Sequence, residues 1–226
     1  MGKSKSEGKK VSVLGSQKEF FNERDNVERY EKYKEGDENL RIINSLKKNT
    51  SVLSLGCGGG REIKELAKRG HKVTAIDFAE KMIEQSKKIE PKATYYCVDA
   101  TDFAEKNKNN KKFDYILGLY SFLNYIDKSR RRVFVKNLSS MLKKDGKIIF
   151  EIRRLDERMK DLIKSCIAPF YAIRFGESWE FGDIYSVNPY NRKEFLKSHH
   201  FSDKQLRKIF RGCKIIIYKN TVVVKN

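Results

Sequence analysis

Val52-Leu53-Ser54-Leu55-Gly56-Cys57-Gly58-Gly59-Gly60-Arg61-Glu62 is the stretch that decides the fold. A short apolar run enters a glycine-rich turn and leaves it as a helix pattern, with Ile63, Leu66 and Ala67 on one face and Gly70 closing it. Such a turn brings bare backbone close to a ligand at a helix N-terminus, where free amides favour an anionic group. A dinucleotide fingerprint needs glycine at its first, third and sixth positions, and the sixth here is Arg61. No Gly-Lys-Ser/Thr follows, which excludes a P-loop.

Outward from this turn the chain alternates β-rich runs with amphipathic stretches. Ser51–Leu55, Lys72–Ile76, Thr94–Val98, Phe113–Leu119 and Lys147–Ile152 read as strands. A helix carries Phe134, Leu138, Met141 and Leu142 on one face. This alternation predicts an α/β domain with a parallel sheet covered on both sides. Residues 1–16 read as a disordered basic tail. Residues 17–46 read as one or two helices, interrupted at Gly36 and carrying Phe20, Phe21, Tyr30 and Tyr33. After Ile152 the rhythm breaks. Residues 153–198 predict a helix over Leu155, Met159, Leu162 and Ile163, then an aromatic, loop-rich stretch. Ser202-Asp203-Lys204-Gln205 is a capping box that starts a helix ending near Gly212, and Lys214–Lys219 with Thr221–Lys225 reads as a closing strand pair.

The spacing Gly56-x-Gly58-x-Gly60 is that of S-adenosylmethionine binders, and further marks follow in order. They are Ala75-Ile76-Asp77-Phe78 at the end of strand two, Cys97-Val98-Asp99-Ala100 at the end of strand three, and Lys143-Lys144-Asp145-Gly146-Lys147 before strand five. The chain thereby resembles the class I S-adenosylmethionine-dependent methyltransferases over residues 17–226, most specifically over 51–152. The resemblance implies a Rossmann-like three-layer α/β/α sandwich in which a seven-stranded mixed sheet has the order 3-2-1-4-5-7-6. It also implies a single methyltransferase domain over 17–226, with 153–198 and the N-terminal helices as an α-helical, aromatic substrate cap. Its cofactor set maps here onto Ser54, Gly56, Cys57, Gly58, Gly60, Arg61, Asp77, Phe78, Met82, Asp99, Ala100 and Leu119. By resemblance Asp77 receives both ribose hydroxyls, a task that suits a carboxylate's paired acceptor oxygens, and Asp99 meets the adenine amino group. One departure stands out. Relatives carry an acid two residues before the first glycine, where this chain has Ser54, a weaker partner for the methionine end of the cofactor.

Lys plus Arg is 49 against 30 for Asp plus Glu, so the net charge is +19, spread along the whole chain. Such a field attracts polyanions, RNA above all, although a lysine-rich surface also serves solubility alone. No apolar stretch reaches the length of a membrane span. Cys57, Cys97, Cys166 and Cys213 form no Cys-x-x-Cys pair, which argues against zinc and fits a reducing, cytoplasmic setting. Met1-Gly2-Lys3-Ser4-Lys5-Ser6 matches the loose myristoylation pattern at Gly2.

Methyl transfer from a sulfonium is an in-line displacement with an activated donor, so positioning and exclusion of water matter more than a strong base. Ligands of open α/β sheets bind at the carboxyl ends of the strands. Tyr120 and Tyr125 after strand four, Glu151 near the end of strand five, and His199 and His200 before the capped helix are the catalytic candidates; each has an ordinary structural role as its alternative. No Asn/Asp-Pro-Pro-aromatic run and no cysteine beside a proline follows strand four, which disfavours adenine-N6 and cytosine-C5 chemistry, and no DNA partner is expected. Three functions remain open: methylation of a small-molecule acceptor, methylation of RNA by way of the basic surface, and a non-catalytic cofactor- or RNA-binding subunit.

Overall fold

Parallel strands buried on both faces are apolar throughout, and Ser51–Leu55 (β1) is buried at every residue after Ser51. The pleat sends Val52 to one face of the sheet, where it packs with Ile43, Ile63, Leu66 and Leu117. Leu53 and Leu55 go to the other, among Ile116, Phe134, Phe150 and Phe210. Each fully buried Leu, Ile or Phe of these two layers contributes about 1.5–3 kcal/mol.

The computed structural model describes residues 13–23, 37–110, 112–155, 159–187 and 195–225. Of the tail expected over residues 1–16, residues 1–12 lie outside the described residues, while 13–16 are not tail but the opening of a helix. The stretch with Tyr30, Tyr33 and Gly36 and the loop with Tyr190 and Arg192 also lie outside the described residues. Helices Val13–Asn22 (α1) and Asp37–Ser45 (α2) precede β1. Then follow Arg61–Lys68 (α3), Lys72–Asp77 (β2), Glu80–Ile89 (α4), Thr94–Cys97 (β3), Ala100–Asn107 (α5) and Phe113–Gly118 (β4). A 3₁₀ turn at Phe122–Tyr125 leads to Lys128–Ser140 (α6), Leu142–Glu151 (β5) and Met159–Phe175 (α7). Asp183–Val187 (β6), Phe195–His199 (β7), Asp203–Ile209 (α8), Lys214–Tyr218 (β8) and Thr221–Lys225 (β9) complete the chain.

The main sheet runs β3-β2-β1-β4-β5-β9-β8. β1 to β5 are parallel, and β9 pairs antiparallel with β5 and with β8. This is the expected order, the hairpin β6–β7 having taken two strand numbers in between. β1 and β4 therefore sit at the centre, and the chain reverses direction across the sheet between them, the switch point at which ligands of such sheets bind.

Two further sequence expectations need correction. Met141 and Leu142 do not extend the helix face of Phe134 and Leu138: α6 ends at Ser140 and Leu142 opens β5, so that strand starts well before Lys147. Apolar residues at a helix–strand junction satisfy either period, and here pairing with β4 decides. Residues 153–198 are also more regular than an aromatic loop. Leu155 stands before the helix, α7 runs through Phe175 with Pro169 inside it, and two strands follow as a separate hairpin. Tyr171 stacks on Tyr185 at 5.5 Å between ring centroids, and with Ala168 and Ala172 they form a small core of their own. No described helix is long and apolar enough to cross a membrane.

Candidate functional site

The turn after β1 is held open by three glycines at positive φ, each for a different reason. At Gly56 (φ 64°) a Cβ would meet Phe122 at 2.6 Å, so this glycine lets the loop after β4 close over the turn. At Gly60 (φ 88°) it would meet the Ser86 Oγ and Cα at 2.5 and 2.8 Å, so this one lets α3 and α4 approach. At Gly58 (φ 50°) it would meet nothing within 4 Å. Gly58 therefore borders open space, a cradle where a ligand can lie on backbone.

That space is a cleft across the carboxyl ends of β1, β2 and β4. Its wall includes Gly56, Cys57, Gly58, Arg61, Asp77, Phe78, Met82, Asp99, Ala100 and Leu119. Ser54 and Gly60, the other two residues of the sequence-derived cofactor set, stand behind the wall. Ser54 is 1% exposed and donates its hydroxyl to Glu62 Oε1 at 2.8 Å. Glu62 itself, in the first turn of α3, lines the cleft. Sequence reasoning missed it because an acid in a first turn is an ordinary helix-dipole residue.

Asp77 closes β2 with both oxygens fixed: Oδ2 accepts the Gly58 N–H and Oδ1 the Ala79 N–H, each at 2.9 Å. Burial pushes its carboxyl up to about 6, against the pull of these amides. Asp99 caps α5, its Oδ1 accepting the N–H groups of Thr101 and Asp102 at 2.9 and 3.2 Å. Cys57 is buried, and burial raises its thiol well above the usual value, so it presents a neutral apolar surface to the cleft.

Beyond β4 the backbone turns sharply, with Tyr120 and Ser121 both left-handed at φ 53° and 62°. Two successive non-glycine residues in that region are strained, and something must hold them. Glu151 does so: its carboxylate accepts the Ser121 N–H at 2.5 Å, and burial raises its pKa. Tyr120 is thereby set on the cleft wall, where the Arg61 guanidinium lies 4.1 Å from its ring centroid. α1 covers the mouth. Phe21 meets Phe78 and Tyr125 edge-on at 5.9 and 6.3 Å, Asn22 Oδ1 accepts the Lys81 N–H, and Gln17 reaches the Lys197 carbonyl.

A second recess adjoins the first and shares Gln17, Asp99, Tyr125 and Ile126 with it. Its far wall comes from the segment after α7 and from β7. Arg131, buried on α6, bonds Glu180 at 2.8 Å, and Lys197 lies 3.2 Å from Asp183. His199 Nδ1 lies 2.8 Å from Asp183 Oδ1. Among the described residues, no three or more His, Cys, Asp or Glu side chains are grouped to hold a metal.

Of the catalytic candidates, Tyr125 borders both recesses, Tyr120 the cleft, and His199 the charged recess. Glu151 and His200 border neither. Glu151 serves the strained turn, and His200 packs toward Asp161, with burial pushing its imidazole down to about 4. The basic run on α6 is partly consumed inside the protein: Arg131 is buried and Arg130 pairs with Asp102 at 2.6 Å.

A family model described as a methyltransferase domain matches residues 52–146, the span from β1 into β5. The ubiquinone biosynthesis O-methyltransferase of Pelagibacter ubique is 29% identical over 180 residues, covering 75% of this chain and 69% of the relative. The protein of the same name from Coxiella burnetii is 31% identical over 104 residues, covering 46% of this chain and 43% of the relative. Among solved structures, a methyltransferase of Methanosarcina mazei described as dependent on S-adenosylmethionine superposes with a TM-score of 0.66 at 21% identity, covering 82% of this chain and 94% of its own. The Burkholderia thailandensis 1,6-didemethyltoxoflavin-N1-methyltransferase, solved with its acceptor and S-adenosylhomocysteine, gives 0.62 at 13% identity, covering 100% and 92%. The fold and the glycine turn define a class I methyltransferase architecture. Residues 52–146 match the methyltransferase-domain family, and the chain as a whole has the fold of S-adenosylmethionine-dependent methyltransferases.

Proposed function

We propose that the protein transfers the methyl group of S-adenosylmethionine to a small-molecule acceptor seated in the charged recess beside the glycine cleft. The carrying observation is that the two spaces share Gln17, Asp99, Tyr125 and Ile126, so a ligand in one abuts a ligand in the other. The bound cofactor supplies a methyl group already activated as a sulfonium. The protein's part is to hold, orient and dry the reactants.

Gly58 leaves backbone bare for the cofactor, and Asp77, fixed by two amides, offers its oxygens to the ribose hydroxyls. Asp99 faces the adenine end. Glu62 takes over from the missing acid at Ser54 and receives the cofactor's ammonium group, the Ser54 hydroxyl fixing its rotamer. Phe21 and Tyr125 close over the reacting centre and keep water out.

The recess speaks for its occupant. Five carboxylates line it (Asp99, Asp127, Glu177, Glu180, Asp183) against four cations (Lys128, Arg130, Arg131, Lys197), in a chain of net charge +19. This balance disfavours a polyphosphate strand in the recess and suits a polar acceptor with hydroxyl or amino groups. RNA remains the second reading, favoured by the +19 field.

Incubation with methyl-labelled S-adenosylmethionine and a fractionated cell extract, at low and moderate salt, separates the readings. Label in the low-molecular-weight fraction at both salts is the expected result. Label in RNA, lost on ribonuclease treatment and steeply reduced by salt, would replace it with the RNA reading. Cofactor binding with no label in any fraction would leave a non-catalytic subunit.

A further inference from the structure

The outward face of α7 is apolar. Met159, Ile163, Ile167, Phe170 and Ile173 recur at intervals of four, four, three and three residues, which puts them on one stripe. They are 73%, 59%, 44%, 74% and 81% exposed. The helix rests on the protein by the opposite face, through buried Asp161, Ser165, Ala168 and Ala172, and packs on β6. An ordinary surface helix does the reverse, burying its large apolar side chains and showing its small and polar ones. A continuous apolar stripe of this kind marks an interaction surface rather than scattered exposure.

The surroundings of the stripe indicate what covers it. Lys160 and Lys164 are exposed beside it, and Arg174 stands exposed in its last turn. An apolar stripe bordered by cations is complementary to the boundary between acyl chains and anionic headgroups. A second copy of this chain is a poor match, since each copy brings its own cationic border and a net charge of +19. Nothing about α7 spans a bilayer, so the helix would lie in the surface plane.

We propose that α7 is a membrane-surface docking element, bedding Met159, Ile163, Ile167, Phe170 and Ile173 into an anionic bilayer with Lys160, Lys164 and Arg174 at the headgroups. The proposal is independent of the methyl acceptor, and its test contains none.

The full chain is sedimented at moderate salt with vesicles of phosphatidylcholine alone, or of phosphatidylcholine with about one third phosphatidylglycerol. Wild type should pellet with the anionic vesicles. The double variant Phe170→Ser/Ile173→Ser keeps the net charge, and its vesicle affinity should fall at least about tenfold while its S-adenosylmethionine affinity stays the same. The variant Lys160→Gln/Lys164→Gln should bind more weakly and with a shallower salt dependence. Wild type left in the supernatant overturns the proposal. So does a serine variant that binds as wild type does, because charge alone would then be responsible. A wild-type dimer in light scattering that the serine variant dissociates, with vesicles ignored by both, would assign the stripe to a second copy instead.

Discussion

Ser54 and Glu62 are joined by a 2.8 Å hydrogen bond from the end of β1 to the first turn of α3, with both side chains buried and Glu62 lining the cleft. A carboxylate thus reaches the cleft beside Ser54 from the helix rather than from the strand, which is the basis for the proposed ammonium contact. Glu62→Gln keeps the shape and removes the charge, and should weaken S-adenosylmethionine binding by about ten- to a hundredfold. Ser54→Ala removes only an orienting bond and should cost a few-fold. Titration calorimetry reads both, and an unchanged affinity for Glu62→Gln would remove the ammonium assignment.

Asp77 gives the site a pH dependence. Burial raises its carboxyl to about 6, so in the unliganded protein it gains a proton as the pH falls through that value. A protonated carboxyl loses acceptor capacity, so cofactor affinity should drop on the acid side of 6 and level off above it. Stability runs the other way: between the ordinary Asp value and about 6 the folded state holds more protons than the unfolded, so Asp77 destabilises the unliganded protein progressively as pH rises through this window. Binding titrations from pH 5 to 8 check the first effect. In Asp77→Asn the affinity should be low and flat across the same range.

Two of the turn glycines separate stability from binding. Gly60→Ala drives a Cβ into Ser86 and keeps a left-handed backbone, so it should cost about 2–4 kcal/mol in denaturant unfolding. Gly58→Ala meets no neighbour, so its cost should be only the backbone strain of about 1 kcal/mol. Its methyl group, however, intrudes on the cradle, and cofactor affinity should fall. Equal stability losses in the two variants would contradict this division.

Asp114 ties three strands together at the end of the sheet remote from the cleft. Its Oδ2 accepts the Ser51 N–H at 2.8 Å and the Lys143 ammonium at 2.8 Å, and also takes the Ser51 hydroxyl. Partial burial alone would raise its pKa, but Lys143 and Ser51 together bring it down to about 2. Its stabilisation is therefore complete above the ordinary Asp value and is lost as pH falls toward 2. Lys143 is partly exposed, so solvent screening limits the effect, and Asp114→Ala should lower stability by about 1–2 kcal/mol near neutral pH. Cofactor affinity should not change.

Much of the architecture was legible in the chain because its signals are local. The glycine turn, the acids closing β2 and β3, and the capping box at Ser202 each declare themselves within a few residues, and the structure has Ser202 and Gln205 bonded reciprocally as that box requires. Boundaries were less legible where one residue can serve two periods, as at Met141 and Leu142. The hairpin β6–β7 escaped notice because its two strands pair mainly with each other and are separated by a long intervening stretch. The inverted exposure of α7 was equally hidden. A stripe of large apolar residues reads as a buried face, and only packing reveals that Ala168 and Ala172 face inward instead.

The sequence by itself determined the strand–helix alternation, the glycine turn and the carboxylates at the strand ends, since each depends on backbone propensity and short-range spacing. Only the tertiary structure decided which of those groups share a space. Glu62 lines the cleft and accepts the Ser54 hydroxyl, Glu151 holds the turn at Ser121, and His199, but not His200, borders the charged recess. These outcomes turn on contacts between elements far apart in the chain, where a shift of one helical turn changes which side chain meets which. Residue order alone does not carry that information.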